Sequence, residues 1–158
     1  MTDTTPTESN LSGLDRKDFQ KNINSRKTDL YILKNAQGME VAVTNYGCAI
    51  LSIMVPDKNG KFANVILGHD SIEHVINSPE PFLSTTIGRY GNRIANGKFT
   101  LYGEEHQLTV NNGPNSLHGG PTGFHARVWD AVQPNESTVI FNYTSADGEE
   151  GFPGTLEI

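Results

Sequence analysis

From Leu30 onward the chain alternates apolar and polar residues over short segments, and turn residues cut every segment short. Alternation with a period of two places successive side chains on opposite faces of a strand. Residues 30–33 and 40–44 read as two strands joined by a turn over 35–38. The segment 49–55 (AILSIMV) is stronger; Pro56 ends it, and Asp57-Lys58-Asn59-Gly60 is a hairpin turn with Asn-Gly at its end. Residues 64–68 follow as another strand, and Ser71 caps a single helical turn over 71–77. The segments 128–132 and 138–144 are strand-like, and a further alternating strand begins at Thr155. Many short strands, frequent Gly and Pro turns and almost no helical periodicity imply an all-β sandwich or barrel.

Residues 1–28 differ from the rest. They are polar, rich in Thr, Ser, Asn, Asp and Lys, and are expected to form a disordered N-terminal segment, with one helical turn possible over 14–19. Residues 29–158 then make up the folded part, long enough for a real core. The net charge of −6 and the scatter of the 12 basic residues argue against a nucleic-acid partner. No stretch approaches the roughly 20 apolar residues of a membrane helix. The first ten residues lack the basic and apolar regions of a signal peptide. The single cysteine, Cys48, has no internal disulfide partner and reads as a small buried hydrophobe. These features point to a soluble cytoplasmic chain without a membrane partner.

Chemistry concentrates in residues 86–124. Two polar clusters stand there, Gly88-Arg89-Tyr90-Gly91-Asn92-Arg93 and Asn112-Gly113-Pro114-Asn115-Ser116-Leu117-His118-Gly119-Gly120. Between them Thr100, Leu101 and Tyr102 lead into a turn at Gly103, and residues 107–110 return. A hairpin brings its ends together, so Asn92 and Arg93 are expected beside His118 around one concavity. An arginine fork and an amide suit vicinal hydroxyls, because both make paired hydrogen bonds. An imidazole titrates near neutral pH and suits acid–base work. Taken without further context, Arg93 better suits a surface salt bridge, and His118 better suits a loop position capping a turn. Arg89 reads as structural support.

Here the chain resembles a known family. GRYGNRIANGKF, NNGPNSLHGG and GFHARVW, with TNYGCAILSIMVPDKNGKFANVILGHDS upstream and SADGEEGFPG downstream, resemble the aldose 1-epimerases, or galactose mutarotases. The resemblance implies a large antiparallel β-sandwich, of which this chain is the N-terminal portion. It implies interconversion of the α and β anomers of a free hexose such as galactose or glucose, with no cofactor and no metal. It assigns His118 a catalytic and substrate-binding role, and Asn92 and Arg93 a substrate-binding role. In such enzymes the general base is a glutamate and the principal acid a second histidine. The resemblance places both beyond Ile158, so a complementary C-terminal piece is an expected partner alongside the monosaccharide.

Other groupings carry less. Asp147-Gly148-Glu149-Glu150 offers oxygen ligands to a hard cation, but its spacing does not fit an EF-hand loop, and turn chemistry explains the Asp-Gly pair. His74, His106 and His125 lack paired metal-ligand spacing and read as surface or packing residues. His125 departs from the family, where an acidic residue often follows Gly-Phe. Two rival functions remain. A non-catalytic carbohydrate-binding module would use Asn92, Arg93 and His118 without the acid and base. A glycoside hydrolase would need two carboxylates flanking the scissile bond, and the only close acidic group sits in the 147–150 turn.

Overall fold

The computed structural model describes residues 10 to 158. A short hairpin, β1 (Asn22–Ile23) and β2 (Arg26–Lys27), leads into four antiparallel strands. These are β3 (Leu30–Lys34), β4 (Glu40–Thr44), β5 (Ile50–Pro56) and β6 (Phe62–Asn64), hydrogen-bonded in that order into one sheet. Its registers pair Leu30 with Thr44 and Ala42 with Ser52, and a bulge lies between Ala42 and Val43. Alternation buries Leu30, Ala42 and Leu51 in one cluster with Phe19, Ala49, Ile72 and Val75. Ile72 and Val75 come from helix α1 (Ile72–Ile76), whose N-cap Ser71 accepts the His74 N–H.

The polar start is more ordered than its composition implies. Residues 1–9 lie outside the described residues, but residues 10–28 pack against the sheet, contrary to the expected disorder. A 3-10 turn, Arg16–Phe19, occupies the place of the expected helical turn and drives Phe19 to 0% exposure. Arg16 grips Asp29 with two bonds of 2.8 and 2.6 Å. Glu40, also fully buried, accepts the N–H groups of Leu11 and Ser12 at 2.9 and 3.0 Å. Charge-assisted bonds of this kind offset the cost of burying the carboxylate. Average composition hides the one apolar anchor, and the two carboxylates that hold the segment, Asp29 and Glu40, lie outside it. Phe19→Ala should lower the stability of the chain by about 3–5 kcal/mol in chemical denaturation. A cost near zero would show that the segment does not belong to the cooperative core.

A second departure follows β5. The strand expected over 64–68 is found as β6, ending at Asn64. The Asn64 side-chain oxygen accepts the N–H groups of Ile53 and Ile66, replacing a backbone acceptor and turning the chain away. Val65 and Leu67 are left exposed.

The second half is built from two-stranded pairs. β7 (Arg93–Ile94) and a 3-10 turn, Ala95–Gly97, precede the hairpin of β8 (Lys98–Leu101) and β9 (Glu104–Gln107). The return strand starts at Glu104, earlier than the expected 107. Tyr102 and Gly103 both take positive φ, 52° and 87°, and close a two-residue turn. β10 (Ser116–Leu117) then pairs antiparallel with β7. β11 (Asp130–Asn135) and β12 (Thr138–Asn142) form the next hairpin, and β13 (Thr144–Ser145) pairs with β14 (Leu156–Glu157). The expected strand at 138–144 is split at Tyr143, which exchanges backbone hydrogen bonds with Ile158. Bonds from Lys34 N–H to the Glu136 carbonyl and from Gln133 to the Ile32 carbonyl dock the β11–β12 hairpin on β3.

Candidate functional site

The β7–β10 pairing sets the site. Its register places Arg93 opposite Leu117, so Asn92 and His118 meet one step further along the ladder. They bond reciprocally. The His118 N–H donates to the Asn92 carbonyl at 3.0 Å, and the Asn92 N–H donates to His118 Nδ1 at 2.9 Å. Both residues sit in the left-handed region, with φ of 69° for Asn92 and 53° for His118. Asparagine tolerates this conformation and histidine visits it more often than most residues. Gly119 allows the next step: a Cβ there would lie 1.7 Å from the Gly88 carbonyl oxygen, so no other residue fits without moving the backbone.

The Asn92 bond fixes the chemistry of His118. Nδ1 must be bare to accept it, so in the neutral ring Nε2 carries the proton. His118 therefore presents a hydrogen-bond donor away from Asn92. Arg93 is held by amides. Its Nε donates to Asn112 Oδ1 at 2.9 Å and a terminal nitrogen donates to Asn92 Oδ1 at 3.2 Å. No carboxylate pairs with it among the described residues. Asn92 and Arg93 are exposed and His118 is half-buried, so a cation, an amide and an imidazole gather at one end of the β7–β10 pair.

Arg89 does different work. It donates to the Ser145 hydroxyl and carbonyl and to the carbonyls of Ala146, Pro153 and Gly154, and it stacks over Phe152. It ties the 145–154 loop to the Gly88–Arg89 segment, as structural support requires. The loop carboxylates face separate partners. Glu149 accepts from Tyr143, Ser145 and Arg127, Glu150 accepts from Thr122, and Asp147 accepts from the Gly154 N–H. No group of three metal-ligating side chains gathers there among the described residues.

Three of the remaining histidines separate by burial. His74 is exposed beside Asp70, and His106 stacks on Phe99 at 5.2 Å. His125 is only 4% exposed, and burial, reinforced by His118, pushes its imidazole below the ordinary histidine range. Sequence reasoning placed it with the packing residues and missed its neighbour: Phe82 touches both His118 and His125. Nothing in the spacing of these three residues signals that contact. Cys48 is half-buried, and burial pushes its thiol up to about 12, so it stays protonated and unreactive.

The family model described as aldose 1-epimerase matches residues 29–158. The chain belongs to the aldose 1-epimerase family. It is 42% identical over 120 residues to the galactose mutarotase of Bos taurus, covering 76% of this chain and 34% of that protein. It is 42% identical over 127 residues to the aldose 1-epimerase of Escherichia coli, covering 80% of this chain and 36% of that protein. The chain thus spans about a third of the length of these curated relatives. Among solved structures it resembles an aldose epimerase homologue from C. elegans, with a TM-score of 0.77 and 32% identity, over 82% of this chain and 40% of that one. It also resembles the galactose 1-epimerase of Lactobacillus acidophilus, with a TM-score of 0.74 and 31% identity, over 87% of this chain and 40% of that one. The all-β, antiparallel architecture of the galactose mutarotase type, expected from the sequence, is the fold of this chain. No described helix is long and apolar enough to cross a membrane.

Proposed function

We propose that this chain supplies one wall of a sugar site in an aldose 1-epimerase that interconverts the anomers of a free hexose such as galactose or glucose. The observation that carries the reading is the coupled set of Asn92, Arg93 and His118, fixed by the β7–β10 pairing, with Asn92 and Arg93 exposed. Arg93 and the Asn92 amide offer donors in fixed directions to vicinal hydroxyls. The His118 Nε2–H donates toward the ring-oxygen side of the sugar.

Mutarotation needs a base to take the proton of the anomeric hydroxyl while an acid protonates the ring oxygen. The C1–C2 bond of the open aldehyde then rotates, and closure on the other face gives the other anomer. No redox step or transferred group is involved. A fixed donor near the ring oxygen stabilises the charge that develops as the C1–O5 bond breaks. The base and the principal acid are assigned, on family resemblance, to positions beyond Ile158. Titration of the chain with galactose, followed by nuclear magnetic resonance of the Asn92, Arg93 and His118 signals, tests the reading. Shifts confined to residues remote from β7 and β10 would overturn it.

A second reading has an observation in its favour. The described residues put no carboxylate in hydrogen-bond contact with His118 or Arg93, as a non-catalytic carbohydrate-binding module would have it. Polarimetry on a longer protein containing these residues separates the two readings, because only an epimerase accelerates the decay from pure α-galactose. In that protein Arg93→Lys should weaken galactose binding about tenfold while leaving turnover of bound sugar nearly unchanged, since the charge survives and the planar fork does not. An unchanged KM would place Arg93 outside the sugar site.

A further inference from the structure

We propose that His125 is a positioning residue: acting through the Phe82 ring, it holds the His118 imidazole in its working orientation. The functional meaning of this role rests on the reading of His118 as a sugar-contacting residue, whereas the positioning itself is a property of the fold.

Phe82 is wedged between two imidazoles. Its ring centroid lies 4.8 Å from that of His118 and 4.5 Å from that of His125, at interplanar angles of 61° and 60°. Edge-on aromatic contacts at such distances are attractive and directional. The backbone turn carrying Phe82 is closed by the Leu83 N–H on the Glu80 carbonyl, which does nothing to orient the ring. The position of the ring is therefore set by its neighbours.

Of those neighbours His125 is the immovable one. It lies in a 3-10 turn, Phe124–Ala126, anchored at both ends. The Phe124 N–H donates to the Gly88 carbonyl and the Trp129 indole N–H donates to the Phe124 carbonyl. The Gly47 N–H donates to the Arg127 carbonyl at 2.8 Å. Gly47 itself, at φ +61°, presses so closely that a Cβ there would stand 2.3 Å from the His125 carbonyl oxygen. His125 has no room to retreat, and it forms a rigid back wall for Phe82.

The wall needs the bulk of the His125 ring and not its nitrogens, one of which is in hydrogen-bond range of the Pro121 backbone. The His125 Nδ1 is buried without a hydrogen-bond partner among the described residues, a destabilising condition that a phenylalanine or leucine would avoid. Its ring lies within electrostatic range of His118, Glu150 and Arg127. Burial lowers its affinity for a proton, so it presses on Phe82 without favouring a positive charge beside His118. On the other side of Phe82, the Asn92 bond to His118 Nδ1 survives only while the His118 ring keeps its plane. Removing the back wall opens a cavity behind Phe82, and the His118 ring gains freedom to leave that bond.

The test reads His118 directly and needs no sugar. In the wild-type chain, long-range nitrogen–proton spectra should show His118 as a single Nε2–H tautomer, with a nitrogen–nitrogen coupling across the Asn92 hydrogen bond. In His125→Ala the coupling should vanish and the two ring nitrogens should report mixed tautomers. His125→Phe, which restores the wall without the nitrogens, should recover most of the signal. Phe82→Leu removes the wedge while nearly keeping its volume and should reproduce the loss, which decides the matter even where His125→Ala fails to fold. An unaltered His118 spectrum in Phe82→Leu, or in a folded His125→Ala, overturns the proposal. Galactose titration of the same variants addresses the underlying reading. Affinity should fall about tenfold, the size of one lost hydrogen bond. Loss of the tautomer with unchanged galactose affinity leaves the positioning role intact and removes His118 from the sugar site instead.

Discussion

In a longer protein that joins these residues to an acid and a base, His118→Ala should lower the turnover of α-galactose by about 10²–10³-fold. The size follows from the state of the ring. His118 Nδ1 accepts the Asn92 N–H at 2.9 Å, so the side chain acts as an Nε2–H donor and not as a proton shuttle between both nitrogens. Deleting one preorganised donor aimed at developing charge costs that much where water is excluded. The loss in turnover should come on top of about tenfold in binding, because the ring oxygen accepts weakly in the bound sugar and strongly as the C1–O5 bond breaks. His118→Gln keeps an N–H donor on a chain of similar reach and should lose less than alanine. Polarimetry from pure α-galactose measures both. Wild-type turnover in His118→Ala would take this residue out of the reaction altogether.

The meeting of Asn92, Arg93 and His118 was legible because it depends on local chemistry. Gly103 and the flanking alternation announce a hairpin, and a hairpin returns the chain beside its start. The inference needed only that β10 come back against β7, and the pairing of Leu117 with Arg93 places the three residues together. Arg89 lies within the same cluster, and its reading as structural support matches its bonds to the carbonyls of the 145–154 loop, although no local pattern pointed to those partners.

What stayed hidden depends on contacts between distant segments. Phe82 meets His118 and His125 where Gly47 lets its turn pack on the His125 backbone and Gly88 leaves room for the Phe124 ring, and no periodicity encodes such an approach. Phe19 sits alone in a polar stretch, so composition averages it away, although it is among the largest fully buried side chains. The end of β6 was misplaced because Asn64 uses its side chain where Val65 and Ile66 suggested continued ladder pairing. In each case a single side chain overrides a pattern that the surrounding residues supply.

The 158 residues alone should not accelerate mutarotation beyond the spontaneous rate in the same buffer. The first reason is chemical. Ring opening needs a base at the anomeric hydroxyl and an acid at the ring oxygen together, and among the described residues the face of Asn92, Arg93 and His118 carries no carboxylate bonded to any of them. Glu150, on the loop nearest His125, is occupied by Thr122 and lies against Gly120. Without a base at the anomeric oxygen, a fixed donor lowers the barrier from one side only. The second reason is structural. Val132 and Ile140, paired across β11 and β12, are 57% and 49% exposed, and Leu67, in the segment after β6, is 77% exposed, so apolar surface stands uncovered where a packed sandwich would bury it. A site wall with one side unsupported holds sugar loosely. A C-terminal piece that covers this surface and brings the glutamate and the second histidine should restore turnover when mixed with the chain, and the restored rate should fall again with His118→Ala. Polarimetry on the purified chain decides the first half. A rate clearly above the spontaneous one, abolished by His118→Ala, would show that these 158 residues already hold a complete acid–base pair.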